Sequence, residues 1–165
     1  AVLLLPVVAV ILLTQVGINI VSDKLVSQNP QTLAIEISDP LTGDVVKTIT
    51  PIVVWPAKGV ITLEFGESSK YQPFHTGIDI ASKKGDPINP AMEGTVIYAG
   101  GDNIHTIYAH LDKIFVYKGQ KVKTDTVIGH EGSTGWSTGN HLHFQVNVYG
   151  IPVNPRVFLG EGLPI

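Results

Sequence analysis

From Trp55 to the C-terminus, no stretch of 12 residues combines helical periodicity with freedom from glycine and proline. That punctuation leaves short strands as the way to bury apolar side chains. Candidates are Val60–Phe65, Gly77–Ala81, Gly94–Ala99, Ile104–His110, Val127–His130 and Leu142–Tyr149. Separated by Gly, Pro, Asn and Asp, they predict an all-β domain of antiparallel hairpins over residues 55–165. Upstream, Thr32–Ile37 alternates, with Leu33, Ile35 and Ile37 expected on one face, and Val45–Ile49 is a second strand. Asp39-Pro40 and Thr42-Gly43-Asp44 are turn signals between them, so residues 23–54 read as a stalk, polar from Ser22 to Pro30, carrying a small β-hairpin.

Residues 1–22 are of another kind. Ala1–Leu13 is an unbroken apolar run, and the first charged side chain is Asp23. As a helix this stretch reaches roughly 30 Å, the thickness of a bilayer's hydrocarbon core. A cleaved signal peptide would be shorter, follow a basic stretch and end in small residues. The reading is a transmembrane helix over 1–22, anchoring the β domain to a membrane.

The chain has no cysteine, which excludes disulfides, thiolate nucleophiles and thiolate metal sites. Any metal must be held by His, Asp or Glu. A net charge of −3 with scattered lysines makes no basic stripe, so nucleic acid is not expected as a partner.

All six histidines follow residue 74. In His75-Thr76-Gly77-Ile78-Asp79, the two-residue period of a strand puts His75, Gly77 and Asp79 on one face and Ile78 with Ile80 on the other. Gly77 places only a hydrogen between an imidazole and a carboxylate. In His141-Leu142-His143-Phe144 the same period sets both histidines opposite Leu142, Phe144 and Val146. Paired imidazoles against an apolar backing are costly when protonated, and a metal, which needs neutral imidazole, relieves that cost. Zinc suits His nitrogen and Asp oxygen, and a catalytic site keeps three protein ligands and an open position. Two neutral His and one Asp leave a net charge of about +1 at the metal, which favours ionisation of a water near neutral pH. His110 ends another strand, and spacing alone does not bring it to this site. Tyr108, two residues before it, is expected to share its face and line a groove. His105 and His130 read as surface or groove-edge residues. Trp136 and Asn140 sit in a Gly-rich loop that either brings backbone donors to an extended peptide or is an ordinary surface turn.

With these elements assembled, the chain resembles the M23 family of zinc peptidases, the lysostaphin-like or LytM-type endopeptidases. The resemblance covers roughly Trp55 to Leu159. It rests on Phe65-Gly66, His75-Thr76-Gly77-Ile78-Asp79, Gly94-Thr95-Val96, Tyr108-Ala109-His110-Leu111, Gly119-Gln120-Lys121-Val122, Gly132-Ser133-Thr134-Gly135, His141-Leu142-His143-Phe144 and Pro152-Val153-Asn154-Pro155. It implies a small antiparallel β-sheet fold of the lysostaphin-like type with an active-site groove. It also implies one Zn2+ per chain held by His75, Asp79 and His143, with His110 and His141 as the catalytic pair. One of the pair would accept a proton from water, and the other would steady the oxyanion or protonate the leaving amine. Tyr108 and Asn140 are the candidate substrate-binding residues. The implied substrate is the stem or bridge peptide of bacterial peptidoglycan, on the extracytoplasmic side of the membrane. Two other readings stand beside it: a non-catalytic scaffold or activator within a larger envelope complex, and a peptidase acting on a protein. The sequence departs from the family in a short connection at Gly100-Gly101-Asp102-Asn103, a short segment Glu67–Phe74 without the Arg common after Phe-Gly, and Gln145 where Glu is common.

Overall fold

The computed structural model describes residues 4–50, 53–97, 104–160 and 162, with side chains from Gln15 onward. The chain runs α1 (Leu4–Leu25), β1 (Val26–Gln28), β2 (Ile35–Ser38), β3 (Val45–Ile49), β4 (Val60–Leu63), β5 (Ile78–Ala81), β6 (Pro87–Ile88) and β7 (Gly94–Thr95). It continues through β8 (Ile104–Ala109), β9 (Lys113–Ile114), β10 (Lys121–Val122), β11 (Gly129–His130), β12 (Leu142–Val148), β13 (Ile151–Val153) and the short α2 (Arg156–Leu159). The expected antiparallel β architecture is found, in pieces mostly shorter than the alternation suggested. The connection at Gly100–Asn103 lies outside the described residues.

β12 is the axis of the main sheet. Its residues alternate strictly, with Leu142, Phe144, Val146 and Val148 fully buried and His143, Gln145 and Asn147 turned the other way. β8 pairs along one edge of β12, from His143↔Ala109 to Val148↔Ile104. The other edge is shared. β5 pairs with its first residues, with His143 opposite Asp79, and β13 with its last. Tyr149 and Gly150 both have positive φ, the geometry of the mirror-image turn that closes a two-residue hairpin between β12 and β13. β4 extends the sheet beyond β5, and smaller sheets are β6-β11-β9, β7-β10 and β1-β2-β3. Buried Glu131 ties two connections together, accepting from the Ser82 amide at 2.8 Å and the Ser82 hydroxyl at 2.6 Å.

The hairpin expected upstream is β2 paired with β3, joined by β1 on its other edge. β1 falls in the segment read as polar stalk, where its only buried residue is Val26. Ile35 and Ile37 enter the same core cluster as Ile78, Ile80 and Phe144, together with Leu25 and Val26. Leu33 does not join them. It sits at φ 57° in the preceding turn and is 65% exposed, so the alternation starts only after it.

A helix replaces the expected one over 1–22, but its reading as a membrane span gains no support. Among the described residues, no helix is long and apolar enough to cross a membrane. From Gln15 on, α1 directs polar groups at the β domain. The Gln15 side-chain amide donates to the Pro73 carbonyl at 3.3 Å, and the fully buried Ser22 hydroxyl accepts from the Asn154 amide at 2.8 Å. The apolar side chains of residues 1–14 lie outside the described residues. Replacing Ser22 by Ala leaves the part-buried Asn154 amide without its acceptor. The expected loss is about 1–3 kcal/mol, read from denaturant midpoints, with faster hydrogen exchange at Asn154. Unchanged values would mean that the helix does not dock there.

Candidate active site

The pairing of β5 with β12 sets His143 directly across from Asp79, on the face opposite the core. His75 reaches them by another route. Four residues of extended strand span about 13 Å, too far for His75 and Asp79 to meet, yet the His75 Nε2–Asp79 Oδ1 distance is 3.0 Å. The strand begins only at Ile78, and a bend at Thr76-Gly77 folds His75 back over it. The shared strand face expected for His75 is therefore corrected. Gly77 is needed for a tighter reason than room for an ion. A Cβ there would collide with the Phe144 carbonyl oxygen and come within 2.9 Å of the His143 ring.

The three donors form a near-equilateral triangle. His143 Nδ1 lies 2.9 Å from Asp79 Oδ1 and 2.9 Å from His75 Nε2. His75 is 1% exposed and the other two are largely buried. The outer nitrogens of both rings face acceptors. His75 Nδ1 lies 3.1 Å from the Glu64 carbonyl, and His143 Nε2 lies 3.2 Å from Gln145 Oε1. In neutral imidazole one nitrogen carries the proton. With it on the outer side, His75 Nε2 and His143 Nδ1 both turn lone pairs on Asp79. A single proton relieves one pair of three converging acceptors, whereas a cation among them relieves all. Donors about 2.0–2.2 Å from a tetrahedral zinc lie roughly 3.3 Å apart, a slight expansion of the observed triangle. The donor set fits a metal ion, and these three residues form a cluster able to hold one. Without a cation the alternative is protonated rings: burial opposes ionisation of Asp79, but hydrogen bonds then donated by His143 and His75, with the charges of His75 and His141, outweigh it. Its carboxyl is held well below the usual carboxylate range.

His110 and His141 stand beside this triangle, their rings 4.7 Å apart. His141 Nε2 is 3.6 Å from Asp79 Oδ2, and the His110 ring is 6.1 Å from that of His143. The Gly-rich loop holds both. His110 Nδ1 donates to the Thr134 carbonyl at 2.8 Å, and His141 Nδ1 to the Gly139 carbonyl at 2.9 Å. Each therefore presents Nε2 as a free acceptor. His110 gets there through its backbone, which sits at φ 65°. That left-handed residue breaks the alternation of β8.

Tyr108 consequently does not share the face of His110. It packs beside Phe144, ring centres 5.4 Å apart, and its hydroxyl accepts from the Ala91 amide at 2.8 Å. Asn140 is exposed on the loop before His141, and Trp136 is 77% exposed. His130 stacks edge-on against Phe115, 4.7 Å between ring centres. His105 is not a simple surface residue. It lies opposite Asn147 on β12, and its Nε2 is buried with no hydrogen-bond partner among the described residues.

Glu64 and Gln145 are the site residues missed from the sequence. The Glu64 carbonyl is held in place at three points. Its amide donates to Glu67 at 2.8 Å, and its carboxylate takes two bonds from Arg156, at 2.6 and 3.3 Å. A backbone acceptor leaves no mark in a sequence. Gln145 did leave one, since the period of two puts it on the face of His143.

Residues 73–155 match the family model of peptidase family M23. The peptidoglycan DD-endopeptidase ShyA of Vibrio cholerae is 42% identical over 93 residues, 48% of this chain and 22% of that protein. The murein hydrolase activator NlpD of Escherichia coli is 35% identical over 130 residues, 69% of this chain and 33% of that protein. A zinc containing peptidase from Vibrio cholerae has a similar structure, with a TM-score of 0.58 and 27% identity, covering 79% of this chain and 47% of that one. The chain belongs to peptidase family M23. It spans a fifth to a third of the length of the curated relatives it matches.

Gly77→Ala is the sharpest probe of the triangle. Overpacking of this kind costs about 1–3 kcal/mol, and here the displaced neighbour is the His143 ring. The variant should fold less stably and bind zinc at least tenfold more weakly, measured by titration with a competing chelator. Wild-type affinity would show that the backbone contact does not position the donors.

Proposed function

We propose that this chain is a zinc endopeptidase that hydrolyses peptide bonds in the stem or bridge peptides of peptidoglycan, with residues 55–165 as the peptidase unit facing the cell wall. The observation that carries the reading is the pair His110 and His141, each held at Nδ1 by a loop carbonyl so that Nε2 is free beside the metal cluster. A module that only held metal would not need two proton acceptors fixed in this way.

His75, Asp79 and His143 would hold the zinc. When bound there, zinc would supply Lewis acidity toward the scissile carbonyl and toward water. His110 and His141 handle the protons. One Nε2 accepts a proton as water attacks the carbonyl carbon. Once protonated at Nε2, the same ring can pass the proton to the leaving amine, while the other donates to the oxyanion from its doubly protonated form. The loop carbonyls of Thr134 and Gly139 fix both rings in the tautomer that this exchange requires. Similarity to ShyA, named a peptidoglycan endopeptidase, supports the substrate class.

The longer match to NlpD, named a murein hydrolase activator, favours a second reading, in which the domain stimulates a separate peptidoglycan hydrolase within an envelope complex. The full chain, loaded with zinc and incubated with purified peptidoglycan, separates the two. New amino termini seen by mass spectrometry, and lost with chelator or His143→Ala, establish the endopeptidase. No release, with stimulation of an added wall hydrolase, establishes the activator. Release from protein substrates but not from wall material would move the reading to a protein peptidase.

His110→Ala and His141→Ala should each lower kcat/KM by about 10²–10⁴-fold while zinc content stays near one per chain. Loss of zinc in either would make that residue a ligand.

Burial pushes His110 below its ordinary value, as do the charges of His141 and His143, against the Thr134 carbonyl and Asp79. A base works deprotonated, so activity falls as pH drops through its pKa. The acid limb of kcat/KM should therefore lie below pH 6.5, the ordinary histidine value. A limb above it would assign the proton acceptance elsewhere.

A further inference from the structure

The outward face of β12 carries three polar side chains in a row, His143, Gln145 and Asn147, and they are bonded in sequence. His143 Nε2 is 3.2 Å from Gln145 Oε1, and the Gln145 amide nitrogen donates to Asn147 Oδ1 at 2.7 Å. Gln145 Oε1 also accepts from the Thr76 hydroxyl at 2.6 Å. Thr76 belongs to the bend that delivers His75, so this row links His143 to that bend.

An amide has two unlike ends. Its oxygen accepts and its nitrogen donates. With the oxygen toward His143, as found, the ring keeps its proton on Nε2 and leaves a lone pair on Nδ1. Turned around, the amide would offer its nitrogen, and His143 would move its proton to Nδ1. That proton would then point at Asp79 Oδ1, 2.9 Å away, in a hydrogen bond to the carboxylate that leaves no Nδ1 lone pair for a metal. The two tautomers differ in whether His143 is a ligand at all. Asn147 and Thr76 are the neighbours that hold the amide in the productive orientation.

We infer that Gln145 is a positioning residue. Oriented by Asn147 and Thr76, it selects the Nδ1-acceptor tautomer of His143 and so prepares the metal site before any ion arrives. This rests on the zinc reading above. The other three histidines of the site are held by backbone carbonyls, which can only accept, so His143 alone depends on a side chain that could turn.

The test uses the full chain and zinc itself. In zinc-free protein, nitrogen–proton NMR of the His143 ring should show the proton on Nε2. Gln145→Leu should give a mixture of tautomers, with zinc affinity weakened about 10–100-fold and the melting temperature little changed. Gln145→Glu, whose carboxylate only accepts, should restore both the tautomer and the affinity. Asn147→Asp should keep them, because a carboxylate there compels Gln145 to turn its nitrogen away from His143. Asn147→Leu should weaken binding less than Gln145→Leu. A Gln145→Leu protein with a pure Nε2–H tautomer and wild-type affinity would overturn the inference. So would a wild-type protein carrying the proton on Nδ1. Failure of the wild-type chain to bind zinc would sink the metal reading, whereas the NMR signature would still decide the role of Gln145.

Discussion

The antiparallel register between β5 and β12 is the constraint on which the site depends. It places His143 opposite Asp79, and the same pairing sets Ile78 against Phe144 and Ile80 against Leu142. All four of those apolar side chains are fully buried. A slip by one residue would turn the carboxylate and the imidazole into the core and expose the apolar set. Hydrophobic burial thus fixes a polar geometry that has little stability of its own. A buried carboxylate and facing lone pairs are unfavourable alone, and the strongly apolar opposite face holds them together.

Around that pairing runs a second layer with one common logic. Each of the four histidines meets an acceptor at its outer nitrogen and turns the other toward the centre. Three of the acceptors are backbone carbonyls, of Glu64, Thr134 and Gly139. They come from two segments far apart in the chain, Glu64 after β4 and the Gly-rich loop with Thr134 and Gly139, so the protonation pattern reports the assembled fold. Glu64 shows how much support one carbonyl receives. Its amide is capped by Glu67 and its side chain is gripped by Arg156, which begins α2 and lies over Trp55. Through the Glu64 carbonyl, α2 thereby braces His75.

Much of the fold was legible from alternation. Leu142 through Tyr149 reads as one half-buried strand and is one as far as Val148, and Asp79 falls on the face opposite Ile78 and Ile80 as its position implies. The errors share a physical cause. Leu33 at φ 57° and His110 at φ 65° occupy left-handed backbone, and Thr76-Gly77 bends. At each of these places the two-residue period stops, and faces counted across it come out wrong. Tyr108 was counted as a groove residue for that reason, and its ring is in the packing around Phe144 instead. The N-terminal segment is a different case. Its composition suggests a membrane span, but among the described residues no helix is long and apolar enough to cross one, and the Gln15, Ser22 and Leu25 side chains meet the β domain; composition does not encode what a helix docks on.

What the sequence by itself determined was the chemistry on offer. It supplied a cysteine-free set of histidines and one aspartate, in motifs dense enough to name the family, on strands whose two faces differ in polarity. Those are local properties, readable from neighbours along the chain. Only the tertiary structure decided which of these groups meet and in which state. Asp79 and His143 are 64 residues apart, and their contact exists through strand register. The tautomers of His75, His110 and His141 are set by carbonyls that every residue possesses. No side-chain pattern can signal which of them will face a ring, because that choice is made by the path of the folded backbone.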